Sequence, residues 1–485
     1  MTLQERIALW LRPAAFLGQN PLTLLGGALT TSSAVTLIGF WVFDILLGGA
    51  AIHPYLGLIF YLFFPALFVV GLLLMPLGAL LRRHKLVAAG ELPTVYPQAD
   101  FSVPAVRHAF GWTAGLTILN VILISTASYQ GVQYMDSVSF CGQTCHTVMQ
   151  PEFTAYQNSP HQRVACVQCH IGPGAPWFVR SKLSGLRQVF AVMANTYPRP
   201  IPSPVHSLRP ARDTCEQCHW PEKFHGDLTD TIREFAEDQP NSESVTTLGL
   251  HVGGGGERSG VATGIHWHVS AANQIDYIAT DDKRQVIPWV SYRNPDGSVS
   301  EFLTTENPPS LGDLAKGERR VMDCMDCHNR PTHAYDLPED AVNRAMAADR
   351  ISPALPFAHK VSVDVLKRSY SSRLAAQTEL PGALRDYYRK NYSAVYNSQG
   401  AQIEQAAEAL LEIYNGNIFP AMNVTWGTYP NNLGHSDFPG CFRCHDGNHK
   451  AKDGRVITQD CNACHNLLAM EDPDPKILHD LAGGS

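Results

Sequence analysis

The 485-residue sequence is short of charge, with 17% Asp, Glu, Lys and Arg, and its acidic residues outnumber the basic ones 44 to 37. A formal net charge of -7 excludes a chain built to neutralise phosphates, so nucleic acid is not an expected partner. So few charges in a chain this long imply that part of it sits in lipid or packs around apolar groups. Lysine and arginine are also missing from "GGAAIHPYLG", residues 48–57, between two apolar runs. No cysteine stands apart from a partner, and no pair is followed by lysine as in Cys-x-x-Cys-Lys.

All 12 cysteines fall into six close pairs, each followed at once by a histidine. The pairs are Cys141 and Cys145, Cys166 and Cys169, Cys215 and Cys218, Cys324 and Cys327, Cys441 and Cys444, and Cys461 and Cys464. The histidines are His146, His170, His219, His328, His445 and His465. Five motifs read Cys-x-x-Cys-His and the first Cys-x-x-x-Cys-His. With 20 histidines in the chain, six such placements arise by chance on the order of once in a hundred million. Neither a zinc ribbon nor a disulfide framework requires histidine directly after every pair. The spacing is the attachment signature of c-type haem, two thiols bonding the porphyrin and the histidine reaching the iron. Six haems are therefore expected, outside the cytoplasm.

Three apolar runs precede the first motif, at about 22–47, 56–81 and 109–128, and about 20 residues suffice for a helical span. Arg6 and Arg12 precede the first run, while Arg82, Arg83, Lys85 and Arg107 lie between the second and third. Because basic loops stay in the cytoplasm, this places the N-terminus inside and Cys141 outside, in the periplasm of a bacterial inner-membrane protein. Asp44, near the outer end of the first run, is an ionisable group at membrane depth and hence a functional candidate.

The expected fold is mixed: a three-helix transmembrane anchor, then a loop-rich multihaem domain with short helices and a small β insert. Its expected segments are 1–21 cytoplasmic, 22–128 anchor, 129–226 with three motifs, 227–338 with a β-hairpin around Asn294 to Gly297 and the fourth motif, 339–425 helical, and 426–485 with two motifs. In the helical insert, Ile403, Ala407, Leu410 and Tyr414 form one apolar stripe.

Eleven further histidines follow Cys141. Those near motifs, His161, His206, His333, His435 and His449, are candidate distal iron ligands. His266 and His268, in "GIHWHV", would share one face of a strand, so one haem could use one of them, with His266 preferred.

The stretch "FCGQTCHTVMQPEFTAYQNSPHQRVACVQCH" resembles the first two motifs of the NapC/NirT family of membrane-anchored quinol dehydrogenases. Phe140, Cys141, Cys145, His146, Met149, Tyr156, Ser159, His161, Cys166, Cys169 and His170 fill the family's places. The sequence departs from that pattern by one extra residue between Cys141 and Cys145 and another between His146 and Met149. The resemblance implies that Met149 rather than His146 ligates the first haem, and that "PWFVRSKLSGLRQVF" is an interfacial helix whose Lys182 stands at a quinol pocket. His53 and Asp44 are the other candidates to take the quinol's proton. The implied activity is quinol dehydrogenation, with the membrane quinol pool as reductant and periplasmic cytochromes or other redox proteins as acceptors. Two other classes remain open: an electron-transfer subunit of a larger membrane complex, and a terminal reductase with an open haem site.

Overall fold

A computed structural model describes residues 12–46, 60–96 and 103–483, apart from 15, 61–62, 145, 206–207, 221–223, 225, 254–263, 271–272 and 295. The chain divides into two units, Met1–Thr144 and Cys145–Ser485.

The first unit is helical: α1 spans Pro21–Leu46, α2 Phe64–Ala88 and α3 Pro104–Met135. Among the described residues two helices are long and apolar enough to cross a bilayer, Pro21–Val42 within α1 and all of α2. The third expected run lies inside α3, whose 32 residues interleave Arg107, His108, Asn120, Gln130 and Gln133 with the apolar ones. Small residues let α1 and α2 pack backbone to backbone. A Cβ on Gly71 would lie 2.5 Å from Thr30 Oγ1 and 2.8 Å from the Gly26 carbonyl oxygen, closer than real side chains approach. The threonines keep their hydroxyls paired at this seam, Thr30 donating to the Gly26 carbonyl at 2.9 Å and Thr23 to that of Met75 at 3.0 Å. In lipid, where apolar burial gives no preference for helix contact, this close approach is what associates the helices.

The second unit opens with α4, His146–Gln157, and the amphipathic α5, Ala175–Met193. A four-helix bundle forms later from α6 (Pro338–Ala347), α7 (Ala358–Leu366), α8 (Arg373–Asn391) and α9 (Gly400–Asn417). The predicted stripe closes its core: Ile403, Ala407, Leu410 and Tyr414 of α9 are all at most 3% exposed, packed with Leu355, Leu380, Leu384 and Tyr388. This conventional core is the largest hydrophobic cluster of the unit.

Two antiparallel sheets lie beside the last three motifs. One has strands β1 (Leu228–Phe235), β2 (Glu243–Leu250) and β8 (His465–Asp472) in the order β1-β2-β8. The other comprises β3 (Gln274–Ala279), β4 (Trp289–Arg293), β5 (Val299–Thr304), β6 (Glu318–Val321) and β7 (His449–Ala451), ordered β6-β3-β4-β5-β7. The expected hairpin joins β4 to β5, with Arg293 opposite Val299 and the Ser298 carbonyl accepting from Asn294 N at 2.8 Å. Gly297 supplies the positive φ of 84° that this turn requires. Strands from the C-terminal segment complete both sheets, so the last two motifs fold together with the β insert.

The glycine seam gives a direct test. Gly71→Val, which adds bulk against Thr30 and Gly26, is expected to cost about 1–3 kcal/mol and lower the thermal midpoint of the detergent-solubilised protein. Gly27→Val, at a position with no neighbour within 4 Å, leaves that midpoint unchanged.

Candidate functional site

None of the 11 described cysteines is joined to another in a disulfide, and the described residues hold no converging group of three or more His, Cys, Asp or Glu. Neither a disulfide framework nor a zinc cluster is present among them. Instead, each described motif histidine faces one other histidine. Ring centroids are 6.3 Å apart for His170 and His333, 5.9 Å for His219 and His161, and 6.3 Å for His328 and His266. The remaining pairs are His445 with His268 at 5.7 Å and His465 with His435 at 6.2 Å. Imidazoles on opposite sides of one metal ion, with nitrogens ~2 Å from it and ring centres ~1.2 Å further, have centroids roughly 6.4 Å apart. The pairs fit that separation, and each has two motif cysteines next to it in sequence, the donor set of a c-type haem.

Hydrogen bonds fix which nitrogen faces inward. A backbone carbonyl can only accept, so a ring nitrogen bonded to one must carry the proton, and the other keeps its lone pair. Nδ1 of His161 bonds the Pro331 carbonyl at 3.2 Å, that of His333 the Glu152 carbonyl at 2.9 Å, and that of His445 the Thr458 carbonyl at 2.7 Å. His266 and His268 do the same with Val252 at 3.0 Å and Ile265 at 2.8 Å. Nε2 is thereby left as the free donor in all five. Burial pushes His268 and His333 below the ordinary histidine range, toward the neutral form that binds metal. His435 lacks such a carbonyl bond and is instead stacked on Phe442 at 4.2 Å.

Two sequence-based expectations change. His449, close to the fifth motif, is buried with Nε2 on the Ile287 carbonyl at 2.7 Å and Nδ1 on the Asp446 carboxylate at 2.9 Å, so acceptors engage both nitrogens. His266 and His268 do not share a strand face, because Ile265–Val269 is a 3-10 turn. At three residues per turn, positions two apart point about 120° away from each other, and each histidine meets a different motif.

His206, His53 and Cys145 lie outside the described residues, as do the side chains of His146 and Asp44. Asp44 stands on the last turns of α1. Met149 is half-buried on α4, one turn after His146. The residue inserted between Cys141 and Cys145 falls in a π-helical turn, Phe140–Thr144, whose wider ring takes up one extra residue. Lys182 is half-buried on α5, its Nζ 4.9 Å from the Phe178 ring centre.

Other residues position these groups, and motif reading missed them. Arg330, 8% exposed, pairs with Glu152, 13% exposed, at 3.2 Å, and lies over the Tyr429 ring at 4.2 Å. The same glutamate's backbone carbonyl anchors His333. Tyr277, fully buried on β3, donates to Asp326 inside the fourth motif. Arg443, inside the fifth, donates to the Asp326 carbonyl at 2.5 Å and to that of Arg284 at 2.9 Å, joining the two motifs. The neighbouring Cys324 thiol, together with burial, pushes the Cys215 thiol up, so the third and fourth motifs lie side by side.

The NapC/NirT cytochrome c family, N-terminal region, matches residues 104–200. Over 463 residues, 95% of this chain and 90% of the relative, the sequence is 42% identical to "Cytochrome c-type protein ImcH" of Geobacter sulfurreducens. The chain belongs to the NapC/NirT cytochrome c family. Covalently bound haem is thus its cofactor, and with two apolar helices the chain fits a membrane-anchored multihaem cytochrome that works in electron transfer. No solved structure matches the chain.

Removing one partner of the Arg330–Glu152 pair strands a nearly buried charge. Arg330→Ala is expected to destabilise the second unit by about 3–5 kcal/mol, read as a lower chemical-denaturation midpoint. Arg385→Ala, at a surface pair with Glu404, moves it by less than about 1 kcal/mol.

Proposed function

We propose that this NapC/NirT cytochrome is a quinol dehydrogenase of the bacterial inner membrane. Three spans, α1 to α3, would anchor it with the N-terminus in the cytoplasm and the motif-bearing unit in the periplasm. Six haems would be held by the twelve motif cysteines, with His170, His219, His328, His445 and His465 as the motif ligands of the second to sixth. Distal ligands would be His161, His266, His333 and His435, with Met149 at the first site. When bound, the haems supply one-electron redox chemistry and a route for electrons to periplasmic cytochromes or another redox protein.

The observation that carries the reading is the surface of α5. Val179, Leu183, Leu186, Phe190 and Met193 are each more than half exposed and recur at helical spacing along one side. Such a stripe suits the boundary of a bilayer, where an apolar face sinks among the acyl chains and basic side chains meet headgroups. Arg180, Lys182 and Arg187 supply the basic groups, and most of the helix lies inside the family-matched segment. Quinol is lipid-soluble, so a helix at this depth would bring Lys182 close to a quinol hydroxyl, which supports the reading. Oxidation of quinol to quinone releases two protons and two electrons. Lys182, Asp44 and His53 are the groups proposed to receive a proton.

The test uses the purified full-length protein in lipid nanodiscs, mixed anaerobically with a menaquinol analogue. Rapid growth of the reduced c-haem absorbance is expected, slowed about a hundredfold in Lys182→Met while reduction by dithionite is unaffected. Quinol that reduces no haem, in protein that dithionite reduces fully, would instead favour a subunit fed by a partner protein.

A further inference from the structure

One short turn does two jobs. Ile265–Val269 is held on its N-terminal side by Ile265 N donating to the His251 carbonyl at 2.8 Å and His266 N to that of Val252 at 3.1 Å. Its far side is held by Arg212, which donates to the Val269 carbonyl at 2.5 Å, and by Asn273, which donates to that of Trp267 at 2.6 Å. Gly264 makes the entry feasible. Its φ is +70°, and a Cβ there would lie 2.4 Å from the His251 carbonyl oxygen and 2.8 Å from Gly253 Cα.

The turn sends its two imidazoles to separate places. His266 faces His328 with rings 6.3 Å apart and nearly parallel, at 9°. His268 faces His445 at 5.7 Å, nearly perpendicular, at 79°. Both have Nδ1 committed to a backbone carbonyl, which leaves Nε2 with its lone pair. Trp267 stands between them, packed on Tyr292 at 5.1 Å.

We propose that this turn closes two different haem sites, His266 serving the site of Cys324, Cys327 and His328, and His268 that of Cys441, Cys444 and His445. The inference rests on the reading of these motifs as haem sites, not on the identity of the reductant. It makes the fourth and fifth sites immediate neighbours, tied by one peptide turn on one side and by the Arg443 to Asp326 bond on the other. Both sites then depend on Gly264, and a shift of one ligand displaces the other.

The experiment compares full-length wild type with His266→Met, His268→Met and the double variant, by low-temperature EPR and near-infrared magnetic circular dichroism. Covalent haem content, from intact-mass spectrometry, is measured alongside. Nearly parallel imidazoles give a rhombic low-spin EPR spectrum, and nearly perpendicular ones the strongly anisotropic spectrum with one large g value. His266→Met is expected to remove one rhombic component, His268→Met one large-g component, and the double variant both, each with a new methionine-iron or high-spin signal and unchanged haem content. For a variant that accumulates poorly, His268→Gly with added imidazole is the alternative, and restoration of the low-spin signal is expected. The proposal is overturned if His268→Met leaves all low-spin signals intact, if the double variant alters one haem only, or if imidazole does not restore the signal in His268→Gly. Fewer than six haems in the wild type would count against the haem-site reading itself.

Discussion

An imidazole has two nitrogens, and the bond made by one decides what the other can do. Here that constraint runs through the whole second unit. Loops, the 3-10 turn and helix α4 present carbonyls of Pro331, Glu152, Val252, Ile265 and Thr458 to Nδ1 of five histidines, and Nε2 of each keeps its lone pair while the ring faces another imidazole. Sheets, bundle and loops hold those carbonyls in place. His333 illustrates the chain of dependence: its anchor is the backbone of Glu152, whose side chain is pinned by Arg330, which lies over Tyr429.

Much of this was legible in the sequence. Six thiol pairs with adjoining histidines announce covalent haem, because thioether formation and axial ligation demand those residues at that spacing. The stripe Ile403, Ala407, Leu410 and Tyr414 announced a core helix, since helical periodicity and burial are one pattern. The hairpin at Asn294 to Gly297 followed from turn chemistry that needs positive φ at glycine. The facing histidines were harder. Sequence proximity to a motif selected His161, His333 and His435 but also His449, whose nitrogens are taken by Ile287 and Asp446. His268 was passed over because His-Trp-His reads as alternation in a strand, while long-range bonds to His251 and Val252 wind it into a tight turn. Those partners are brought close by tertiary folding, which local pattern does not contain.

The first unit follows a different physics. Apolar side chains gain nothing by preferring a neighbouring helix over lipid, so α1 and α2 associate through backbone approach at Gly26, Gly71 and Gly78 and through the Thr23 hydroxyl bonded to the Met75 carbonyl. The chain thus combines a glycine seam, a conventional aliphatic bundle and a region where facing histidines and motif cysteines lie beside smaller apolar clusters. Of these, the third sets the chemistry.

The most direct measurement is a quantitative ligand count on the fully oxidised, full-length protein. Near-infrared magnetic circular dichroism separates bis-histidine, histidine–methionine and high-spin haems by the energy of their charge-transfer bands. Five bis-histidine haems and one of another kind, that of the first motif, are expected from five facing pairs. A majority of high-spin or methionine-ligated haems would contradict coordination by the facing histidines.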